Sequence, residues 1–415
     1  MVEKLRARLT SIQGKIVALA LLALFSTSFC EAGETVIFSF TSAHGANSRS
    51  GLIADSNGNF YGTTTSGGAK SCGTVFELSP NSGGKWTETV LYSFTTCVTG
   101  EVVPPDPIDT LAIDKAGNLY GVWQSSGLEF GYLFELTKAT DGTFSYSLIH
   151  RFNFKEGIPN GDLTWDSAGN LYGTTFADST GFDGEVFEFS PQSDGTWKES
   201  VLYAFNYSNP VSAPIAGVVF DSKGNLYGPG YFGGNPNFGG VYELSHQANG
   251  TWKLIPIYRF TLETFGGPYS KLTFDENGNL YGTAWQAGSQ FFGEVYKLSP
   301  TKSGQWKETT IHTFTSGSDG ARPQGALVFD SEGNLYGSTM NGGVGCSASL
   351  CGTVYKLTPQ TGGSWKETIL HQFESTTDGS QPQQGLLLDS SGSLYGTTYY
   401  GGGRYGYGTV YQIIP

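Results

Sequence analysis

Two sets of residues in this chain are of types that could do chemistry. The first is a set of acids, Asp109, Glu156, Asp162 and Asp319. Carboxylates and amides converging on one point can hold a hard cation such as calcium, and a bound cation can polarise a carbonyl for hydrolysis. The second is a set of aromatics, Trp123, Phe176, Tyr231, Trp285 and Tyr399. Such rings offer flat apolar faces to sugars or side chains, with polar edges that orient them. Histidine adds little. His44, His150, His246, His312 and His371 are scattered, and none has a sequence neighbour that makes it a base or a ligand. No Gly-x-Ser-x-Gly elbow and no Walker loop occurs, so no catalytic residue is assigned.

The elements that must position these residues are set by a repeat. A phrase of the form Asp-x-x-Gly-Asn-Leu-Tyr-Gly begins at Asp55, Asp114, Asp166, Asp221, Asp275, Asp330 and Asp389. A period near 55 residues means a repeat architecture. Each unit holds four short strand signals; in the sixth copy these are A at 325–330, B at 334–339, C at 352–357 and D at 365–373. Seven such units predict an all-β chain, a seven-bladed propeller with four antiparallel strands per blade. The last unit lacks strand D. Residues 34–40, Glu-Thr-Val-Ile-Phe-Ser-Phe, match the strand D phrase at 88–94. The N-terminal strand is therefore expected to complete the last blade and close the ring, leaving no unpaired edge there. The Asp and Gly of the phrase suit a tight A–B turn. Gly falls too early for a calcium loop of the EF-hand kind.

In a propeller the B–C and D–A loops share one face around the channel mouth. Here those loops vary, whereas the A–B and C–D turns repeat. The four acids fall on or beside D–A loops, and the five aromatics lie where strand B enters the B–C loop. His150, His312 and His371 occupy a strand D position filled by Tyr or Phe in other blades, which reads as packing. The cysteines follow the repeat as well. Cys346 and Cys351 flank an insertion, Cys72 shares the repeat position of Cys351, and Cys97 remains as its partner. Two structural disulfides, 346–351 and 72–97, are expected in an exported chain.

Residues 1–32 read as a signal peptide. Lys4, Arg6, Arg8 and Lys15 precede an apolar run at 16–25, and a cut after Ala32 leaves a mature propeller of 33–415. That run is too short to make a stable membrane span. A secreted, periplasmic or cell-surface monomer is expected. The formal net charge of -13 excludes a nucleic-acid partner, which needs a basic surface.

The repeat resembles that of the "choice-of-anchor tandem repeat GloVer-containing" family of bacterial exported proteins. The residues that carry the likeness are Asn-Leu-Tyr-Gly-Thr-Thr at 170–175, Gly67-Gly68 with Cys-Gly-Thr-Val at 72–75, and Asp-Gly-x-x-Pro at 319–323. The resemblance covers 34–415 and implies a propeller, without catalytic residues to carry over. The A–B hairpins also look like those of lactonase and streptogramin-lyase propellers, a likeness of fold only. The sequence reading favours a non-enzymatic module that binds an extracellular glycan or protein through the B–C/D–A face, with no cofactor. Its alternatives are a metal-dependent hydrolase or lyase of the lactonase-like type, with calcium as the cation, and a purely structural cell-envelope protein.

Overall fold

The structure is a computed structural model. It describes residues 33–95, 110–124, 130–176, 184–206, 208–233, 238–261, 267–344 and 351–415. The expected signal peptide, Asp109, Cys97 and Cys346 lie outside the described residues. No helix among the described residues is long and apolar enough to cross a membrane.

Seven small antiparallel sheets follow one another along the chain in the order A-B-C-D, and in the fourth a short extra strand, Ser212–Pro214, also pairs with strand B. In the sixth blade the strands are Val328–Phe329, Leu335–Thr339, Thr353–Pro359 and Trp365–Gln372. The seventh blade takes strands A to C from Leu387–Leu388, Leu394–Thr397 and Thr409–Ile414, and strand D from Gly33–Ser39. The pairing runs from Gly33 opposite Ile414 to Ser39 opposite Thr409. The protein is thus a seven-bladed propeller whose first strand closes the ring.

One aspartate builds each A–B turn. The Asp55 Oδ1 accepts the backbone N–H of Asn57 at 2.9 Å and of Asn59 at 3.0 Å. Its Oδ2 accepts the Asn59 amide at 2.9 Å and the Tyr61 hydroxyl at 3.1 Å. Gly58 takes φ 81°, where a side chain would strain the backbone. The same contacts recur at Asp166, Asp275 and Asp330. These carboxylates are saturated by the turn, which leaves no role for a cation there.

The glycine of strand B has a different cause. A Cβ on Gly337 would stand 2.4 Å from the Tyr355 hydroxyl. The large strand C ring fills that space, so the position tolerates no side chain. The apolar clusters then cross the seams between blades. One joins Tyr281, Val295 and Phe314 of the fifth blade to Leu327, Leu335, Tyr355 and Leu357 of the sixth. Another joins Phe40, Tyr395 and Val410 of the seventh to Leu52, Phe60, Phe76 and Leu78 of the first. Neighbouring blades share one core at each such seam, so the ring coheres by hydrophobic burial rather than by covalent continuity alone.

Partial burial tends to push the turn carboxyls up. The hydrogen bonds from Asn59 and its equivalents win, and hold Asp55, Asp166, Asp275, Asp330 and Asp389 below their ordinary value. Groups held low stabilise the fold above their unfolded value of 3.8 and lose that contribution as pH falls through the folded values. The melting temperature should therefore drop steeply as pH is lowered below about 4. Asp330→Ala, which orphans the Asn334 amide and Tyr336 hydroxyl, should cost about 2 kcal/mol in denaturant unfolding and shallow that acid limb.

Candidate functional site

The D–A loops lead into the innermost strands, so residues at their ends meet near the axis. Asn160, Gly161 and Asp162 come from the third blade, and Ile215 and Ala216 from the fourth. Tyr269, Ser270 and Lys271 come from the fifth, Gln324 and Ala326 from the sixth, and Gln384 from the seventh. Together they line a cavity of about 60 Å³. Residues of five blades can share a cavity only at the central channel, here at its mouth on the D–A side.

Close backbone approach narrows this mouth. A Cβ on Gly217 would lie 1.9 Å from the Asp162 carbonyl oxygen, and one on Gly51 would lie 2.6 Å from the Thr110 hydroxyl. The Thr110 N–H donates to Asp162 Oδ1 at 2.9 Å and fixes the orientation of the carboxylate. Gln124 donates to Asn160 Oδ1 at 2.5 Å, and the Asn160 amide donates in turn to the Ile215 carbonyl. The mouth thus sets one carboxylate, one ammonium and three carboxamides around a small volume.

Of the four acids considered from sequence, only Asp162 stands here, and Asp109 lies outside the described residues. Glu156 and Asp319 sit instead at the outer edges of two seams, where each faces a strand D histidine: His150 at 3.1 Å and His312 at 3.9 Å respectively. Their loops turn outward to cap the end of strand D. The Glu156 carboxylate accepts the Asn153 N–H at 2.8 Å, and that of Asp319 accepts the Thr315 N–H at 2.8 Å. Among the described residues the acids do not converge. The site's oxygen donors are mostly amides, which sequence reasoning passed over. Tyr269, Gln324 and Gln384 were missed; the signal available was the composition of the residues just before strand A, compared across copies.

The aromatic rim is packed. Trp123 is 7 % exposed and lies between Phe94 at 5.8 Å and Tyr132 at 4.9 Å, nearly parallel to both. The Arg322 guanidinium covers the half-buried Trp285 at 5.3 Å, and that of Arg49 covers Tyr399 at 4.8 Å. Tyr231 and Trp285 flank Tyr269 at 6.3 and 5.9 Å, so they back a wall of the channel mouth. Phe176 is half-buried, and its N–H is tied to the Ile158 carbonyl at 2.8 Å. A larger groove, about 980 Å³, opens on the other face beside Asp166 and Asp221. Two of its acids, Asp166 and Asp221, are turn carboxylates already committed to hairpins, and the third, Glu188, accepts the Ser190 hydroxyl.

Several solved structures resemble this one. A gluconolactonase from Xanthomonas campestris is similar over 71% of this chain and 81% of its own, at 12% identity and a TM-score of 0.42. A luciferin-regenerating enzyme is similar over 80% and 97%, at 17% identity and a TM-score of 0.46. The PQQ-bound aldose sugar dehydrogenase from Streptomyces coelicolor is similar over 92% and 98%, at 12% identity and a TM-score of 0.44. These likenesses concern the fold alone. A search of curated proteins returned no match.

The expectation of a non-enzymatic binding module is corrected here. Of the rings that motivated the expectation, Trp123 is buried between two others, Trp285 and Tyr399 lie under arginines, and Tyr231 packs on Phe232 and Tyr269. Trp123→Ala should accordingly act as a core truncation and cost about 3–5 kcal/mol in denaturant unfolding; an unchanged midpoint would show that the ring is not packed in solution.

The family model of the Gloeobacter/Verrucomicrobia repeat matches residues 107–351 and 304–415, and the chain belongs to that family.

Proposed function

We propose that the protein is an exported hydrolase or lyase of the lactonase-like propeller type, acting on a small, oxygen-rich substrate at the channel mouth. The observation that carries this reading is the convergence of Asp162, Lys271, Asn160, Gln324 and Gln384 around one small cavity on the face with varied loops. A concave site with few, convergent polar groups is the usual setting for small-molecule chemistry.

The roles follow from the residue types. Asp162, held by the Thr110 N–H, is placed to accept a proton from water or from a carbon acid. Lys271 brings a positive charge into the same mouth and can hold a substrate carboxylate or a developing oxyanion. The Asp162 carboxylate and the amide oxygens of Gln324 and Gln384 are hard donors that suit calcium. Bound there, the cation would polarise a substrate carbonyl. Tyr269 forms one wall, backed by Tyr231 and Trp285, and gives the substrate an apolar face.

The test is turnover of aldonolactones, aryl esters and uronate-containing oligosaccharides, with and without calcium. We expect one class to be turned over and kcat/KM to fall at least about 100-fold in Asp162→Asn, with the melting temperature unchanged. Absence of turnover across the panel, or full activity in Asp162→Asn, would remove the channel mouth as the reaction centre.

Export and the disulfides belong to the same reading. The buried Cys72 and Cys351 lie in the B–C loops of the first and sixth blades, where cross-links to Cys97 and Cys346 would pin the functional face. Peptide mass mapping without reductant should recover the 72–97 and 346–351 pairs in protein secreted from cells, with a new N-terminus at Gly33.

A further inference from the structure

The outer edge of the ring carries a charged motif that neither the channel mouth nor the repeat phrase explains. At three seams a strand D histidine of one blade meets a carboxylate of its own D–A loop and a glutamate of the next blade. At the seam of blades two and three, His150 Nε2 lies 3.1 Å from Glu156 and 3.7 Å from Glu199. Between blades five and six, His312 Nε2 lies 3.9 Å from Asp319 and 3.3 Å from Glu367. Between blades six and seven, His371 Nε2 lies 3.0 Å from Asp378. There Glu34, on the ring-closing strand, feels the charges of both His371 and Asp378. A fourth seam, between blades seven and one, pairs His44 of the D–A loop with Glu88 at 3.4 Å.

The four glutamates hold one place, six residues before the phenylalanine that ends the strand D phrase: Glu34, Glu88, Glu199 and Glu367. In each of them Oε1 is buried without a hydrogen-bond partner among protein atoms. An ionised carboxylate in that position loses hydration in return for, at three of the seams, a histidine contact of 3.3 to 3.7 Å, whereas a protonated carboxyl does not carry the cost. The loop acids differ, because backbone N–H groups hold them: Asn153 for Glu156, Thr315 for Asp319 and Glu374 for Asp378. Each triad therefore has one anchored carboxylate, one histidine and one seam glutamate with a buried oxygen that accepts no hydrogen bond.

We propose that these triads are proton-operated latches between blades, closed at mildly acidic pH and loosened at alkaline pH, with the latch at Glu34 controlling the ring-closing strand. A proton shared within the triad lets the histidine bridge the two carboxylates across the seam. Without it, two negative charges and a neutral imidazole face one another in a largely buried gap. The seam carboxyls beside the histidines act in this sense. Burial pushes the Glu88 carboxyl up to about 7. Burial and then the Asp319 charge push Glu367 up to about 8. Burial raises Glu34 against the pull of His371 and with the push of Asp378. It raises Glu199 against His150 and with Glu156. Burial lowers His312 against the pull of Asp319; taken alone this favours the neutral imidazole and works against the latch, so at that seam the proton rests on Glu367. Behind the seams stand the Tyr411 ring near Glu34 and the Tyr355 ring near Glu367, both neutral phenols held well above their ordinary value by burial.

Carboxyls raised in the folded state give stability that is complete below their unfolded value of 4.5. It is lost as pH rises through the folded values, up to about 8 for Glu367. This window lies above the acid limb of the turn aspartates, so the two effects separate. The experiment is calorimetry and hydrogen exchange on the whole protein between pH 5.5 and 9, with exchange corrected for its intrinsic rate. We expect a lower melting temperature at pH 9 than at 5.5. Protection in 35–38 should fall about tenfold, the equivalent of one pKa unit of linkage. In the Glu34→Gln/Glu367→Gln variant both trends should flatten, while Glu332→Gln, in an A–B turn, should keep them. A wild-type protein with no alkaline loss, or a double variant with the wild-type slope, would overturn the proposal. The wild-type measurement decides it even if a variant fails to fold.

Discussion

The structure depends on a hydrogen-bonded carboxylate repeated seven times. Each turn aspartate binds two backbone N–H groups and, in most copies, a side-chain amide, and it reaches over to the hydroxyl of the strand B tyrosine. That last contact reaches beyond the turn. It fixes the height of a ring whose body is buried in the seam with the next blade, as Tyr281 is against Phe329 at 5.0 Å. The turn sets the tyrosine, the tyrosine sets the packing distance to the neighbouring blade, and the packing distance sets how strand A presents to the channel. A local interaction of a few atoms thus propagates to the geometry of the axis.

That chain of dependence explains what was legible in the sequence. The phrase around Asp55 and its six relatives carries the turn, the strand order and the ring size. The match between residues 34–40 and 88–94 carries the closure. The channel mouth was not legible in the same way. Asp162, Lys271, Gln324 and Gln384 each stand near the start of a strand A in different copies, and repetition along the chain hides the fact that they face one another. The rim misled for a related reason. Trp285 and Tyr399 read as open because their covers, Arg322 and Arg49, come from the following blade and lie far off in sequence. Tyr399 and Arg49 are at opposite ends of the chain.

The seam triads belong to the same class of hidden feature. His312 in a strand D pattern reads as a substitute for tyrosine, and in packing terms it is one, since its ring lies 4.7 Å from Phe314 as Tyr258 lies 5.0 Å from Phe260. The pattern cannot show that a glutamate one blade away and a loop acid seven residues away reach the same nitrogen. Charge placed on an otherwise structural position is invisible to periodicity and plain in space.

The closure of the seventh blade also has a consequence for the order in which the fold can form. Gly33–Ser39 pairs with Thr409–Ile414, so the earliest strand of the propeller to be synthesised pairs with the last. Until residues 409–414 emerge, Phe38 and Phe40 have no strand C beside them, and the aromatic pocket of the first blade lacks its cover. Six blades can assemble by local contacts while the chain lengthens, but the ring is a single long-range event. A growing chain must carry the unpaired strand at 33–39 until strand C of the seventh blade is made, and the first and seventh blades wait on that pairing for their final packing.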